Sequence, residues 1–257
     1  MAVNRTLWTT IFEKDAFPGL PCPQCRPGKL KLVKGSLSVD EPPFSAAYKD
    51  HPDWEPDWPV NRFTARLQCD EVSCGEIVMM TGDTEIVDVL IEEEVYSGWG
   101  TQRVLHVRTI FPAPPLFHIP KSTPGTIESQ LNLCFQLFWT DLPSCVARLR
   151  TSVELMLDDQ KIARERLNKQ KTKMTLLTLH DRIDLFASQA IGADTQDSLH
   201  ALRSIGNLGT HGTSVNNDAF FDALDVFEDV LLGIYEKNSI KMKAKKLRDT
   251  KGDYDNT

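Results

Sequence analysis

Two pairs of cysteines constrain the first third of this chain more than any other feature. Cys22 and Cys25 are separated by two residues, Cys69 and Cys74 by four, and each pair is followed closely by a glycine. Two thiolates this close in sequence can face one metal ion, and two such pairs supply the four ligands of a closed tetrahedral zinc site. We therefore predict a structural zinc ion, which leaves no open position for catalysis. The alternative is four unrelated reduced cysteines.

The residues around these pairs are typical of strands. Apolar residues follow the first pair at 30–33, and runs at 77–79, 85–90 and 103–110 alternate between apolar and polar. We predict a zinc ribbon with a small antiparallel sheet within residues 1–115. The acidic segment 40–59, which is rich in proline and tryptophan, is predicted to be a loop: either a partner-binding surface or a loop pinned by its tryptophans.

A proline-rich connector separates the strand-like first part of the chain from a second part with a helical pattern. Five prolines between 111 and 124 force an extended course. From 116 to 238 the apolar residues recur three and four apart, and short connections predict an antiparallel helical bundle. Residues 239–257 are basic and polar, and we predict a disordered tail there, with a weak role in phosphate binding as a second interpretation. The fold class is therefore α+β, with the zinc ribbon and sheet first and the bundle second.

Composition and net charge limit the classes of function that this protein can have. A hydrophobic content of 41% and a charged content of 25% are ordinary for a globular protein, and the net charge of −7 argues against a general nucleic-acid coat. The sequence has no secretion signal at its start and no run of eighteen apolar residues, so we expect no membrane span and a cytoplasmic location. The two remaining cysteines, Cys134 and Cys145, fall in apolar helical patterns and are expected to be buried.

The glycine-rich stretch 203–212 holds the candidate catalytic residues. It contains Arg203, Asn207 and His211 around two glycines, which we expect to break the preceding helix. A histidine can transfer protons near neutral pH, and an arginine can stabilise the charge that develops on a phosphate. The alternative is structural, with Asn207 and His211 capping the end of that helix.

Five segments of the second half together resemble a known family. The chain looks like the domain-of-unknown-function family 4145 over about residues 120–240, in the segments 118–120, 138–141, 148–158, 179–183 and 205–211. That family resembles the HEPN superfamily of helical bundles, whose members occur in bacteria and in anti-phage systems. Active HEPN proteins share an Arg-Asn-x-x-x-His motif that acts on RNA without a metal, usually across a dimer, and leaves a cyclic phosphate. The resemblance therefore implies a homodimer, with RNA or a defence-system protein as its partner.

The match to that motif is incomplete. His211 and Asn207 occupy the motif positions, but Gly206 stands where the arginine is expected, and Arg203 lies one helical turn earlier. Two functions follow: a HEPN-like interaction module in bacterial defence or stress response, or a metal-independent endoribonuclease that uses Arg203 and His211. A third, DNA binding through the ribbon, is disfavoured by the acidic loop. His180 and Arg182 form a second polar pair, interpreted as a surface or inter-helix contact rather than a site.

Overall fold

The computed structural model describes residues 3–13, 16–92, 97–168, 170, 172–189, 191–210 and 214–251. Within these residues the chain forms two compact units, Asn4–Pro115 and Leu116–Thr257, and Val3 belongs with the second. None of the helices in the described ranges combines the length and apolar character that crossing a membrane requires.

The first unit is built on an antiparallel sheet, which confirms that part of the predicted fold class. Its strands are β1 (Leu30–Leu32), β2 (Ser38–Asp40), β3 (Arg62–Cys69), β4 (Ile77–Glu92) and β5 (Ser97–Phe111). The strand order is β1-β3-β4-β5, and β2 also pairs with β3. Two short helices, α1 (Arg5–Thr9) and α2 (Pro43–Ala46), flank the strands in sequence.

Strand β3 is the centre of this sheet, although the sequence interpretation placed no strand directly before the second cysteine pair. Its residues alternate strictly between exposed and buried, and Phe63, Ala65 and Leu67 face the core. The neighbouring strands bury residues on the same face, because Ala65 is paired with Met80 and Leu67 with Val78. One apolar face and one polar face are what an antiparallel sheet with a single covered side requires.

The second unit is mainly helical. Its helices are α3 (Gly125–Leu137), α4 (Leu142–Asp159), α5 (Leu179–Ala187), α6 (Gln196–Thr210), α7 (Asn217–Leu231) and α8 (Asn238–Thr250). A hairpin of β6 (Glu165–Leu167) and β7 (Met174–Leu176) follows α4, and a π-helical turn, Leu232–Lys237, joins α7 to α8. Apolar residues of the helices form the core, among them Leu131, Phe135, Leu149, Val153, Leu199, Phe220, Leu224 and Phe227.

Helix α6 is longer than the sequence indicates. It continues through Gly206 and Gly209 to Thr210, so the expected helix break is wrong. The glycines instead allow close packing on α4. A Cβ atom added at Gly206 would lie 2.6 Å from the Cβ of Arg150, and one at Gly209 would lie 2.3 Å from the carbonyl oxygen of Pro143.

The basic segment after 238 also differs from its prediction. Residues Asn238–Thr250 form the helix α8, where the sequence predicts disorder. Residues 252–257 of the same segment lie outside the described part of the chain. Most α8 side chains that the structure describes are exposed, including Ile240 and Leu247. Helical propensity of the lysine, alanine and leucine residues accounts for a helix here without a packed core.

Substitution of Gly209 by alanine tests the α4–α6 packing. The added methyl group would meet two backbone groups, the Pro143 carbonyl and the Ala147 amide, which cannot move aside as a side chain could. We expect Gly209→Ala to destabilise the second unit by about 1–3 kcal/mol. Scanning calorimetry of the full chain would measure this, with Gly125→Ala as control, because nothing lies within 4 Å of a Cβ there. Equal unfolding temperatures for both variants would contradict the packing role.

Candidate functional site

The four cysteines of the two sequence pairs converge at one point in the first unit. The sulfur atoms of Cys22, Cys25, Cys69 and Cys74 all lie within 4.8 Å of one another. Two of the separations are 3.7 Å, between Cys22 and Cys74, and 3.6 Å, between Cys25 and Cys69. Four sulfurs at 2.3 Å from a tetrahedral zinc ion would be about 3.8 Å apart. The predicted convergence is thereby confirmed, at distances compatible with a metal site.

A tight turn presents the first pair. The Cys22 amide donates to the carbonyl of Gly28 at 2.9 Å, and the Arg26 amide donates to the Cys22 carbonyl at 3.1 Å. Arg26 adopts a left-handed conformation, with φ of 67°, which closes the turn. Gly28 is required for a different reason: a Cβ atom at this position would lie 2.3 Å from the Cys69 sulfur and 3.0 Å from the Cys25 sulfur.

The second pair lies where β3 ends. Cys69 is the last residue of the strand and is paired with Leu30 of β1. This pairing places its thiol next to the turn that carries Cys22 and Cys25. The Cys74 amide donates to the Glu71 carbonyl at 2.9 Å, and Gly75 has φ of +58°, which lets the chain turn back into β4. Strand pairing and two turns therefore place all four sulfurs together.

The surroundings of the cluster shift the pKa values of its thiols in different directions. Burial opposes ionisation of Cys22, but hydrogen bonds from the amides of Cys25 and Gln24 and from the neighbouring thiols together lower the pKa of this thiol. Burial raises the pKa of Cys69 to about 12, and the neighbouring sulfurs add to this effect. A buried group of four thiolates needs a cation to balance its charge. Metal binding at this cluster would accordingly release protons, so its apparent affinity should rise with pH.

The residues of the glycine-rich stretch lie in the second unit, on α6. The Asn207 side-chain oxygen accepts a hydrogen bond from Nη1 of Arg150 on α4, and Arg150 also pairs with Glu154 through Nε at 3.3 Å. Among the residues that the structure describes, the buried Nε of Arg203 has no hydrogen-bond partner. His211 lies outside the described residues, so its approach to Arg203 and Asn207 stays a prediction.

His180 and Arg182 have different surroundings. The Arg182 side chain is buried; its Nη2 donates to Asp158 Oδ1 at 2.6 Å and to the Ile162 carbonyl at 3.3 Å. Hydrogen bonds from Arg164 and the charge of Arg182 lower the pKa of Asp158, so this carboxylate stays ionised beside its partners. Arg182 therefore has a structural role that connects α5 to the end of α4.

The exposed His180 contacts other residues. Its Nε2 lies 3.4 Å from Asp184 Oδ2 on the same helix, and Nε2 of His200 on α6 lies 2.9 Å from Asp184 Oδ1. Hydrogen bonds from His200 and Gln196 lower the pKa of Asp184. Sequence reasoning missed both His200 and Arg150. The i, i+4 spacing of His180 and Asp184 indicates that those two lie together, but no local pattern relates His200 to Asp184 or Arg150 to Asn207.

The alanine variant of Gly28 tests the geometry of the thiol cluster. We expect Gly28→Ala to separate the sulfurs and to lower the metal bound per chain to less than half of the wild-type value. Elemental analysis of the purified protein, with titration of free thiols, would measure the loss. Gly19→Ala is a suitable control, because the nearest atom to an added Cβ there is 3.7 Å away. Undiminished metal content in the Gly28 variant would show that the thiols do not need this close approach.

Family models match both units separately. Residues 10–103 match the model described as Domain of unknown function (DUF8608), and residues 132–250 match the one described as Domain of unknown function (DUF4145). No curated protein and no solved structure matches the chain. The second match agrees with the resemblance inferred from the helical segments. The helical segment 132–250 therefore belongs to the DUF4145 family.

Proposed function

We propose that this protein is a zinc-stabilised, HEPN-like interaction module that binds RNA without cleaving it. The observation that carries this proposal is the hydrogen bond between Arg150 and Asn207, which engages the side-chain oxygen of the motif asparagine in a part-buried contact between α4 and α6. The expected setting is a bacterial defence or stress response, in the cytoplasm, with the module acting as a homodimer. A defence-system protein is the other partner class that this setting implies.

The donor set favours zinc as the metal. Thiolate ligands at tetrahedral separations suit zinc, and the cytosol keeps such cysteines reduced. Cys22, Cys25, Cys69 and Cys74 would complete the coordination, so the ion would have no open position for water or substrate. Its role would be to stabilise the fold, as zinc does in small domains that lack a large core.

The packing around Gly206 argues against cleavage. Active HEPN proteins place an arginine directly before the asparagine, but here a Cβ at 206 would lie 2.6 Å from the Arg150 Cβ. An arginine therefore cannot stand at this position unless Arg150 moves. Arg150 occupies the same space and donates to Asn207 from the neighbouring helix. A packing role for both residues explains why glycine replaces the motif arginine.

One observation favours the alternative, a metal-independent endoribonuclease. Arg203 lies one turn before Asn207 on α6, and its buried Nε has no hydrogen-bond partner within the described ranges. A guanidinium N–H without a protein acceptor can donate to a phosphate oxygen. In this alternative, Arg203 would stabilise the charge on the phosphate and His211 would transfer the proton.

The charge of α8 supports RNA as the ligand. This helix contains five basic residues and one acidic residue, and Lys243, Lys245 and Arg248 are exposed. Lysine and arginine side chains along an exposed helix attract the phosphate backbone without reading its sequence. The remainder of the chain is acidic, which would confine such binding to this segment.

Loss of one zinc ligand should unfold the first unit. We expect Cys22→Ser to bind little zinc and to lose amide protection across β3, because structural zinc contributes about 10–16 kcal/mol in small domains. Hydrogen exchange resolved by peptide would measure this, with α4 as the internal reference. Cys134→Ala, which removes a cysteine from the helical unit, is the control and should keep one zinc per chain. Full protection of β3 in the metal-free Cys22 variant would refute a stabilising role.

Charge reversal on α8 should weaken RNA binding. We expect Lys243→Glu with Lys245→Glu to lower the affinity for single-stranded RNA and to reduce the salt slope by about 1.4, which corresponds to two lost phosphate contacts. Fluorescence anisotropy across a salt series would measure both quantities. Lys121→Glu with Lys173→Glu is the matched control, because it makes the same change in net charge at exposed lysines elsewhere in the second unit.

Incubation of the wild-type protein with the same single-stranded RNA distinguishes RNA binding from RNA cleavage. The binding proposal expects intact RNA after prolonged incubation. Products that end in a cyclic phosphate, and that disappear in His211→Ala, would establish the endoribonuclease instead. Failure of the wild-type protein to bind RNA at low salt would remove the RNA-binding proposal altogether.

A further inference from the structure

Two helices of the second unit bring three metal-ligating side chains to one place. Thr178 caps α5, and Asp181 completes the cap by accepting a hydrogen bond from the Thr178 amide. This fixes the start of the helix, so that His180 and Asp184, four residues apart, lie on the same face. The separation between His180 Nε2 and Asp184 Oδ2 is 3.4 Å.

Helix α6 supplies the third side chain. His200 Nε2 lies 2.9 Å from Asp184 Oδ1, and the two imidazole rings are 4.6 Å apart at their centres. Gln196, one turn earlier on α6, donates to the same carboxylate oxygen at 3.0 Å and helps to orient it. One ligand atom from each of His180, Asp184 and His200 lies within 4.8 Å of the others.

These distances suit a shared metal ion. Bonds of 2.0–2.2 Å from imidazole nitrogen and carboxylate oxygen to tetrahedral zinc place the ligand atoms about 3.3–3.6 Å apart. The separation of 3.4 Å between His180 and Asp184 Oδ2 lies in this range. The separation of 2.9 Å between His200 and Asp184 Oδ1 is shorter and is that of a hydrogen bond, so a metal ion would move these two atoms slightly apart. The side chains of His180 and Asp184 are 55% and 45% exposed. Both therefore have room to rotate and bring their ligand atoms to one metal ion.

We propose that His180, Asp184 and His200 form a second metal site, which binds a divalent transition metal such as zinc. Two imidazoles and one carboxylate are a ligand set that zinc and iron(II) accept, and it differs in kind from the four thiolates of the first unit. Three protein ligands leave at least one position for water or for an oxygen of a bound molecule. The exposure of His180 and Asp184 opens that position to solvent.

A metal-free contact between α5 and α6 is the competing explanation. Asp184 would then simply accept hydrogen bonds from His200 and Gln196. That contact needs His200 but not the exposed His180, whereas a metal ion needs both histidines. The effect of removing His180 therefore distinguishes the two explanations. Its side chain is exposed, so the substitution removes nothing from the core of the unit.

Cobalt titration of the full chain tests the proposal. The protein is first given one equivalent of zinc to fill the cysteine cluster, which zinc binds more tightly than cobalt does. We expect a further equivalent of cobalt to bind and to show d–d absorption without a thiolate-to-cobalt charge-transfer band. His180→Ala and His200→Ala should each weaken this binding more than about 100-fold, and Gln196→Leu about 10–100-fold.

His118→Ala provides the matched control, because it removes an exposed histidine of the same unit that lies outside the cluster. It should bind cobalt as the wild-type protein does. Circular dichroism of each variant would establish that the helices are intact. Absence of a second equivalent in the wild-type protein, or unchanged cobalt binding in His180→Ala, would overturn the proposal and leave a hydrogen-bonded contact between the helices.

Discussion

The convergence of four sulfur atoms within 4.8 Å of one another joins distant segments of the first unit. Strand β1 has only three residues, and all residues of β2 are exposed, so neither strand buries enough apolar surface to hold its edge of the sheet. The thiol cluster joins the turn before β1 to the end of β3. A metal ion at this point would add four coordinate bonds at an edge of the sheet where the short strands bury little apolar surface.

In the second unit, the comparable feature is the close packing of two helices. Gly206 and Gly209 allow α6 to lie against α4, where Arg150 and the Pro143 carbonyl occupy the space of any larger side chain. The residues that resemble a nuclease motif thus serve helix packing at the positions that the structure describes. Nearer the start of α6, polar side chains of α5 and α6 meet instead, and this is where His180, Asp184 and His200 converge.

Local patterns in the sequence predict local structure well here. Cysteine spacing predicts the thiol cluster, and apolar residues three and four apart predict the helical unit. The alternation of Phe63, Ala65 and Leu67 also carried a strand signal, but the proline-rich loop before it obscured the pattern. The glycines of α6 were misleading because their packing role depends on α4, which local sequence cannot reveal.

Contacts between distant residues account for what the sequence could not predict. Arg150 and Asn207 are 57 positions apart, so their hydrogen bond follows from how α4 packs on α6 and from no local motif. His200 likewise reaches Asp184 only because α5 and α6 are neighbours. Helix α8 was missed for another reason: charged residues with good helix propensity resemble a disordered segment in composition.

X-ray absorption spectroscopy at the zinc edge, on protein that carries one zinc per chain, tests the central claim most directly. A structural Cys₄ centre predicts a single shell of four sulfur atoms at about 2.3 Å from the metal. A shell with nitrogen or oxygen neighbours at about 2.0–2.2 Å would contradict it, because the first zinc would then bind outside the cluster of Cys22, Cys25, Cys69 and Cys74.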